Sequence, residues 1–140
     1  MTTPANPPFF WSVRVYYEDT DSGGVVYHAN YLKFLERARS EWLRAAGFGQ
    51  PALRDQFQIL FAVHTATLTF RQPARFDDLL DVSVAVTSIG GAAVDFAQHI
   101  YRQQQLLLEA TIRVAAIDAD RFLPRRLPTP LRQFFTKVVS

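Results

Sequence analysis

The strongest constraint on the fold is an order of elements: one helix-like segment near the N-terminus, then four long β-rich runs with only turn signals between them. Segments 57–70, 80–88, 93–101 and 106–117 are rich in Val, Ile, Thr and Phe. Gly90 and Gly91 in "IGGAA" suit a hairpin, and "RQQQL" suits the next reversal. Nothing alternates strand with helix as a parallel sheet requires, so an antiparallel α+β domain is expected.

Ahead of these runs, "WSVRVYY" alternates Trp11, Val13, Val15 and Tyr17 against polar positions, the period of a half-buried first strand. Tyr31, Phe34, Leu35, Ala38, Trp42, Ala45 and Ala46 then recur at three- and four-residue spacing, predicting one helix over about residues 30–46. Asn30 is its expected N-cap, and Gly47 its stop. "QPALRDQ" suits a shorter helical segment and "PTPLRQFF" a last short helix. The expected core is a five-stranded sheet over the single apolar-striped helix, in one domain over residues 9–140 behind a flexible segment 1–8.

Composition narrows the function. A chain of 140 residues with 49% hydrophobic content and twelve Phe can build one core. The absence of cysteine removes disulfides, thiolate nucleophiles and Cys-ligated zinc. No apolar run approaches the ~20 residues of a membrane span, and "MTTPANPPFF" has neither a basic nor an apolar signal region, so a cytoplasmic protein is expected. A net charge of +2 gives no reason to expect nucleic acid. The positive charge concentrates at the end, where Arg121, Arg125, Arg126, Arg132 and Lys137 meet no acidic residue.

Between strand and helix lies "EDTDSGGVVYH", for which four chemistries compete. Asp19, Asp21 and Gly24 match the beginning of a calcium loop, but its twelfth position falls on Asn30 where a bidentate Glu is needed. Glycines before a helix suit a phosphate, yet Glu18, Asp19 and Asp21 would repel one and no Lys follows. Asp and Gly also serve any strand-to-helix loop. The fourth reading is hydrolytic: a carboxylate, a close backbone approach through Gly, and a helix start whose N–H groups stabilise an oxyanion.

"VYYEDTDSGGVVYHANYLKFLERARSEWLR" resembles the signature of hotdog-fold acyl-CoA thioesterases of the 4-hydroxybenzoyl-CoA thioesterase type, and most of all the tol-pal-associated branch. "PARFDDLLDV" is similar to the same family, extending the likeness over roughly residues 12–128. The resemblance implies a sheet wrapped around one long helix and hydrolysis of an acyl-CoA to free acid and coenzyme A, without a cofactor. It places Asp21 on the catalytic carboxylate, as nucleophile or general base, and His28 on the position whose backbone N–H polarises the thioester carbonyl. The His28 imidazole and the Tyr17 phenol count as active-site groups in that branch. Gly24, with Tyr27 and Asn30, would border the substrate.

Arg75, Arg125 and Arg126 are candidates for the phosphates of coenzyme A, or for an acidic carrier protein, because guanidinium forks bind phosphate bidentately. Glu18 and Asp19 read as solvated or capping residues. His64 shares a strand face with Leu60, Ala62, Ala66 and Leu68 and reads as a core or pocket histidine; His99 reads as a sheet-surface or subunit-contact residue. No two histidines have metal-ligand spacing, so no metal is expected. The fold resemblance also implies a homodimer or homotetramer. A hotdog 3-hydroxyacyl dehydratase and a non-catalytic acyl-CoA or carrier-protein binding module are the rival readings.

Overall fold

The computed structural model describes residues 9–139. The expected flexible segment 1–8 lies outside the described residues. Strands β1 (Phe9–Arg14), β2 (Ile59–Phe70), β3 (Leu79–Ile89), β4 (Ala93–Arg102) and β5 (Gln105–Asp118) form one antiparallel sheet in the order β1-β3-β4-β5-β2. Helices α1 (Asn30–Ala45), α2 (Gln50–Phe57) and α3 (Thr129–Val138) complete the α+β architecture expected of a hotdog domain.

Alternation selects the inner face. Leu80, Val82, Val84 and Val86 on β3, with Val94, Phe96 and Ile100 on β4, are all buried beneath the helices. Phe34, Leu35 and Ala38 of α1 are fully buried against them. The helical stripe at three- and four-residue spacing therefore does what it predicts.

The expected single covered helix is incomplete, because the tail contributes as well. Leu131 and Phe135 of α3 are fully buried, and the Phe135 ring lies 6.2 Å from Trp42 and 6.3 Å from Phe96. Burying each such side chain contributes about 1.5–3 kcal/mol, enough to hold a ten-residue helix that would be marginal alone. The Arg132 guanidinium donates to the Gly90 and Gly91 carbonyls at 2.9 Å, fastening α3 to the β3–β4 turn.

Three local expectations are corrected. The first strand ends at Arg14, and Tyr17 belongs to a one-turn 3₁₀ helix, Tyr17–Asp19. The N-cap of α1 is Ala29, while the Asn30 side chain turns inward to Asp19. The register of β2 on β5 shifts between Val63 and Thr65, so His64 is extruded and exposed instead of lining the core. That bulge swaps the parity: Phe61 and Val63 pair opposite Ala116 and Val114, and beyond it Ala66, Leu68 and Phe70 take over the inward face.

Candidate active site

The acidic and glycine stretch folds as a tight antiparallel excursion closed by the Thr20–Val26 bridge. Asp21 sits at its turn, donating its N–H to the Val25 carbonyl at 2.9 Å and accepting from Gly24 N–H at 3.1 Å. Its side chain is exposed, and Oδ1 accepts from Gly23 N–H at 2.8 Å, a local Asx-type bond that fixes the carboxylate against the turn. Gly24 has φ +79°, a left-handed conformation that glycine adopts without a side-chain penalty.

Two braces hold this loop. Val26 N–H donates to the Ala74 carbonyl and Val25 bridges Arg75, so the "PARF" segment supports it from outside. From inside, the buried Asp19 carboxylate accepts from Tyr16 N–H at 2.8 Å and from Asn30 Nδ2 at 2.7 Å. Of the solvated or capping roles expected, Asp19 takes the capping one, closing the short 3₁₀ helix through Tyr16 N–H, and is at the same time a buried clamp between loop and helix; Glu18 is exposed. Asn30, expected to border the substrate, has its amide engaged with Asp19.

The chain enters α1 through His28 and Ala29. Among the described residues neither of their N–H groups meets a hydrogen-bond acceptor, while the next amide, Asn30, is already bonded to the Tyr27 carbonyl. Two unspent donors thus stand at the positive end of the α1 dipole. His28 is exposed, with Tyr27 tilted against it at 4.4 Å between ring centroids.

Below them lies a cavity of about 240 Å³ lined by Val26, His28, Tyr31, Phe70 and the backbone turn at 71–73. The Tyr31 hydroxyl accepts from Ala74 N–H at 3.0 Å. Burial pushes the Tyr31 phenol up; the charges of Asp78 and Asp21 add to this, and the Ala74 bond and Arg102 oppose it. Tyr31 appears in the sequence only as part of the apolar stripe; its polar end is visible only in the fold.

Other expected site residues lie apart from this cavity. Tyr17 does not line it: its exposed ring stacks on Phe76 at 3.8 Å and 12°, beside Arg14 and Asp77. Arg75 is exposed next to the glycine loop and fixed there through its backbone, which donates to Asp78. Arg125 and Arg126 are at the far end of the sheet. Arg125 donates to the Gln58 carbonyl at 3.2 Å and lies 3.8 Å from Asp118, where β2 begins and β5 ends, whereas the His28 cavity adjoins Phe70 at the other end of β2. Within one chain these arginines and Asp21 do not meet.

His99 does occupy the outer sheet surface, 4.0 Å from Glu109. Among the described residues one buried cation went unrecognised in the sequence: Arg39, on the face of α1 turned to the sheet, 7% exposed. Among the described residues no helix is long and apolar enough to cross a membrane.

This architecture is shared with characterised proteins. The thioesterase superfamily profile matches residues 23–109, beginning just after Asp21. The chain is 43% identical to the acyl-CoA thioesterase YbgC of Haemophilus influenzae over 127 residues, covering 91% of this chain and 93% of that protein. It is 46% identical over 121 residues to the acyl-CoA thioester hydrolase YbgC of Escherichia coli, covering 86% and 90%. A probable thioesterase from Bartonella henselae superposes with a TM-score of 0.83 at 37% identity, covering 87% of this chain and all of that one. A match over well over half the chain, together with such relatives along nearly its full length, establishes that this protein belongs to the thioesterase superfamily.

Proposed function

We propose that the protein hydrolyses an acyl-CoA to the free acid and coenzyme A at the Asp21–His28 loop. The observation that carries this reading is the pairing of an exposed, locally fixed carboxylate with two unspent backbone N–H groups at the α1 start. The YbgC relatives named as acyl-CoA thioesterases support the substrate class.

The thioester oxygen accepts from the His28 and Ala29 N–H groups, which gain strength as the carbonyl acquires negative charge. Asp21 then acts in one of two ways. Its free Oδ2 attacks the carbonyl carbon, the C–S bond breaks, coenzyme A leaves as the thiolate, and water hydrolyses the resulting anhydride. Alternatively Asp21 takes a proton from a water that attacks directly, and the same C–S bond breaks. Neither route needs a cofactor. The His28 imidazole borders the reacting centre; Gly24 leaves its approach open, and Tyr27 and Arg75 flank it. A role for Tyr17, stacked on Phe76 apart from this cavity, is supported by the family resemblance alone.

Arg125 and Arg126 can hold coenzyme A phosphates of this site only from a second chain, which ties their role to assembly. A homodimer or homotetramer is supported by β2, a sheet-edge strand of twelve residues whose inward Val63 and Phe70 are each 53% exposed. A carrier-protein thioester remains the second substrate class, and a cytoplasmic setting suits either.

Thiol release from short, long and aromatic acyl-CoAs, run on the wild type and Asp21→Asn, tests the reading. Hydrolysis by the wild type and a fall of about 10²–10⁴ in the variant are expected. Near-normal turnover in the variant would remove Asp21 from the chemistry, and acyl-CoA binding without hydrolysis by the wild type would favour a binding module.

A further inference from the structure

The segment between β2 and β3, residues 71–78, braces the glycine loop from outside, and its pivotal residue is the fully buried Ala74. The Ala74 carbonyl accepts from Val26 N–H at 2.9 Å, and the Ala74 N–H donates to the Tyr31 hydroxyl at 3.0 Å. One residue therefore ties the loop that carries Asp21 and His28 to the first turn of α1.

Arg102, the last residue of β4, fixes the backbone on both sides of Ala74. Its Nη1 donates to Asp78 Oδ2 at 2.7 Å and, at 3.3 Å, to the carbonyl of Pro73, just before Ala74. The same Asp78 Oδ2 accepts at 2.8 Å from the N–H of Arg75, just after it. Arg102 Nη2 donates to Gln105 Oε1 at 2.8 Å across the β4–β5 turn, which orients the guanidinium plane. Asp78 is held in its turn, because its carbonyl accepts from the N–H of the fully buried Val15 at 2.9 Å.

Other ties on this side are few. Pro73 has no N–H to give, and the N–H groups of Arg71 and Gln72 both go to the one Leu107 carbonyl, at 2.8 and 3.2 Å. On the side away from the loop, the stretch 73–75 thus rests on the bonds of Arg102 and Asp78. Their side chains are 28% and 21% exposed, sheltered enough for a charge-assisted bond to be stronger than at the open surface. Arg102 is not among the walls of the His28 cavity, so any effect it has on the reaction is transmitted through Ala74.

We infer that Arg102 is a positioning residue for the hydrolysis proposed above: acting through Asp78 and the Pro73 carbonyl, it fixes Ala74 and hence the placement of the Asp21–His28 loop against α1. The inference rests on the hydrolytic reading for its effect on turnover, and its effect on the loop is read without substrate.

Native-state amide exchange at Val26 and Ala74, on the whole protein, reads the loop directly. Arg102→Gln should speed it at least ten-fold, and Arg102→Lys, which keeps a cation for Asp78, should restore most of the protection. On a hydrolysed acyl-CoA, Arg102→Gln should lower kcat about ten- to a hundred-fold with KM within about two-fold of the wild type, the mark of misplaced reacting groups and not of lost binding. Asp78→Ala should act alike, and the double variant should be no worse than the stronger single one. Arg113→Gln, which breaks the Arg113–Asp95 pair on the same sheet, controls for loss of an ion pair as such and should leave exchange and kcat unchanged.

Unaltered exchange or unaltered kcat in a folded, active Arg102→Gln protein overturns the inference alone, as do additive losses in the double variant or an equal response to Arg113→Gln. Asp78→Ala decides the matter if Arg102→Gln does not fold. A wild type that hydrolyses no acyl-CoA overturns the hydrolytic reading, and with it the part of Arg102 in the reaction.

Discussion

The Asp19 carboxylate and the Asn30 amide meet at 2.7 Å in a buried position, joining the turn before the glycine loop to the first turn of α1. Asp21 and the His28 and Ala29 N–H groups, proposed to act on the thioester carbonyl, all lie on the chain between these two residues. Asn30→Ala would leave Asp19 Oδ1 buried without this donor, at a cost of about 1–3 kcal/mol. A lowered melting temperature together with reduced turnover is the expected result; unchanged turnover would show that the loop holds its geometry without the clamp.

His28 offers a backbone donor that survives replacement of its side chain. His28→Ala should therefore lower kcat less than Asp21→Asn does, measured on the same acyl-CoA. A larger loss would assign the chemistry to the imidazole itself. Asp21→Asn is the cleaner probe because an Asn Oδ1 can still accept from Gly23 N–H, preserving the turn.

The two glycines fail for different reasons. At Gly24 there is open space for a Cβ but φ is +79°, so Gly24→Ala should cost about 1–2 kcal/mol of stability through backbone strain. At Gly23 a Cβ would stand 3.2 Å from Asp21 Oδ1, so Gly23→Ala should displace the carboxylate and fall more heavily on kcat than on thermal stability. Parallel melting and kinetic measurements separate the two effects.

Asp95 predicts the acid limb of stability. Its hydrogen bonds from Arg113, at 2.8 and 3.1 Å across β4 and β5, hold its carboxyl below the ordinary carboxylate range. The unfolded chain therefore binds a proton more readily than the folded one. The pair's contribution is complete above about pH 4, and is lost as pH falls through the depressed folded value. Asp95→Asn should lower the melting temperature at neutral pH and converge on the wild type in acid; a difference that persists undiminished in strong acid would mean the pair is not the cause.

The sequence was informative wherever a local pattern controlled the outcome. The β-rich composition of segment 80–88 marked β3, and the three- and four-residue spacing of Tyr31, Phe34, Leu35 and Ala38 marked α1 and its buried face. The motif around Asp21 was recognisable as a thioesterase resemblance, and the superfamily match bears that out. The glycine pair announced a turn because left-handed backbone at Gly24 is a property of the residue itself.

The tertiary structure decided what depends on partners distant in the chain. Whether Asp19 is solvated or buried turns on Asn30, and the tail helix enters the core only because Phe135 finds Trp42 and Phe96. The bulge at His64 inverts the face assignment of everything after it in β2, since a single extra residue breaks a period of two and no local signal announces the register set by β5. The burial of Arg39, which no sequence pattern singles out, follows from Gln98, on a strand 59 positions later, being brought beneath it. Local propensity and periodicity reside in neighbouring residues and survive in sequence; burial of charge, register and the meeting of Arg125 with the β2 start rather than with Asp21 are properties of the packed chain alone.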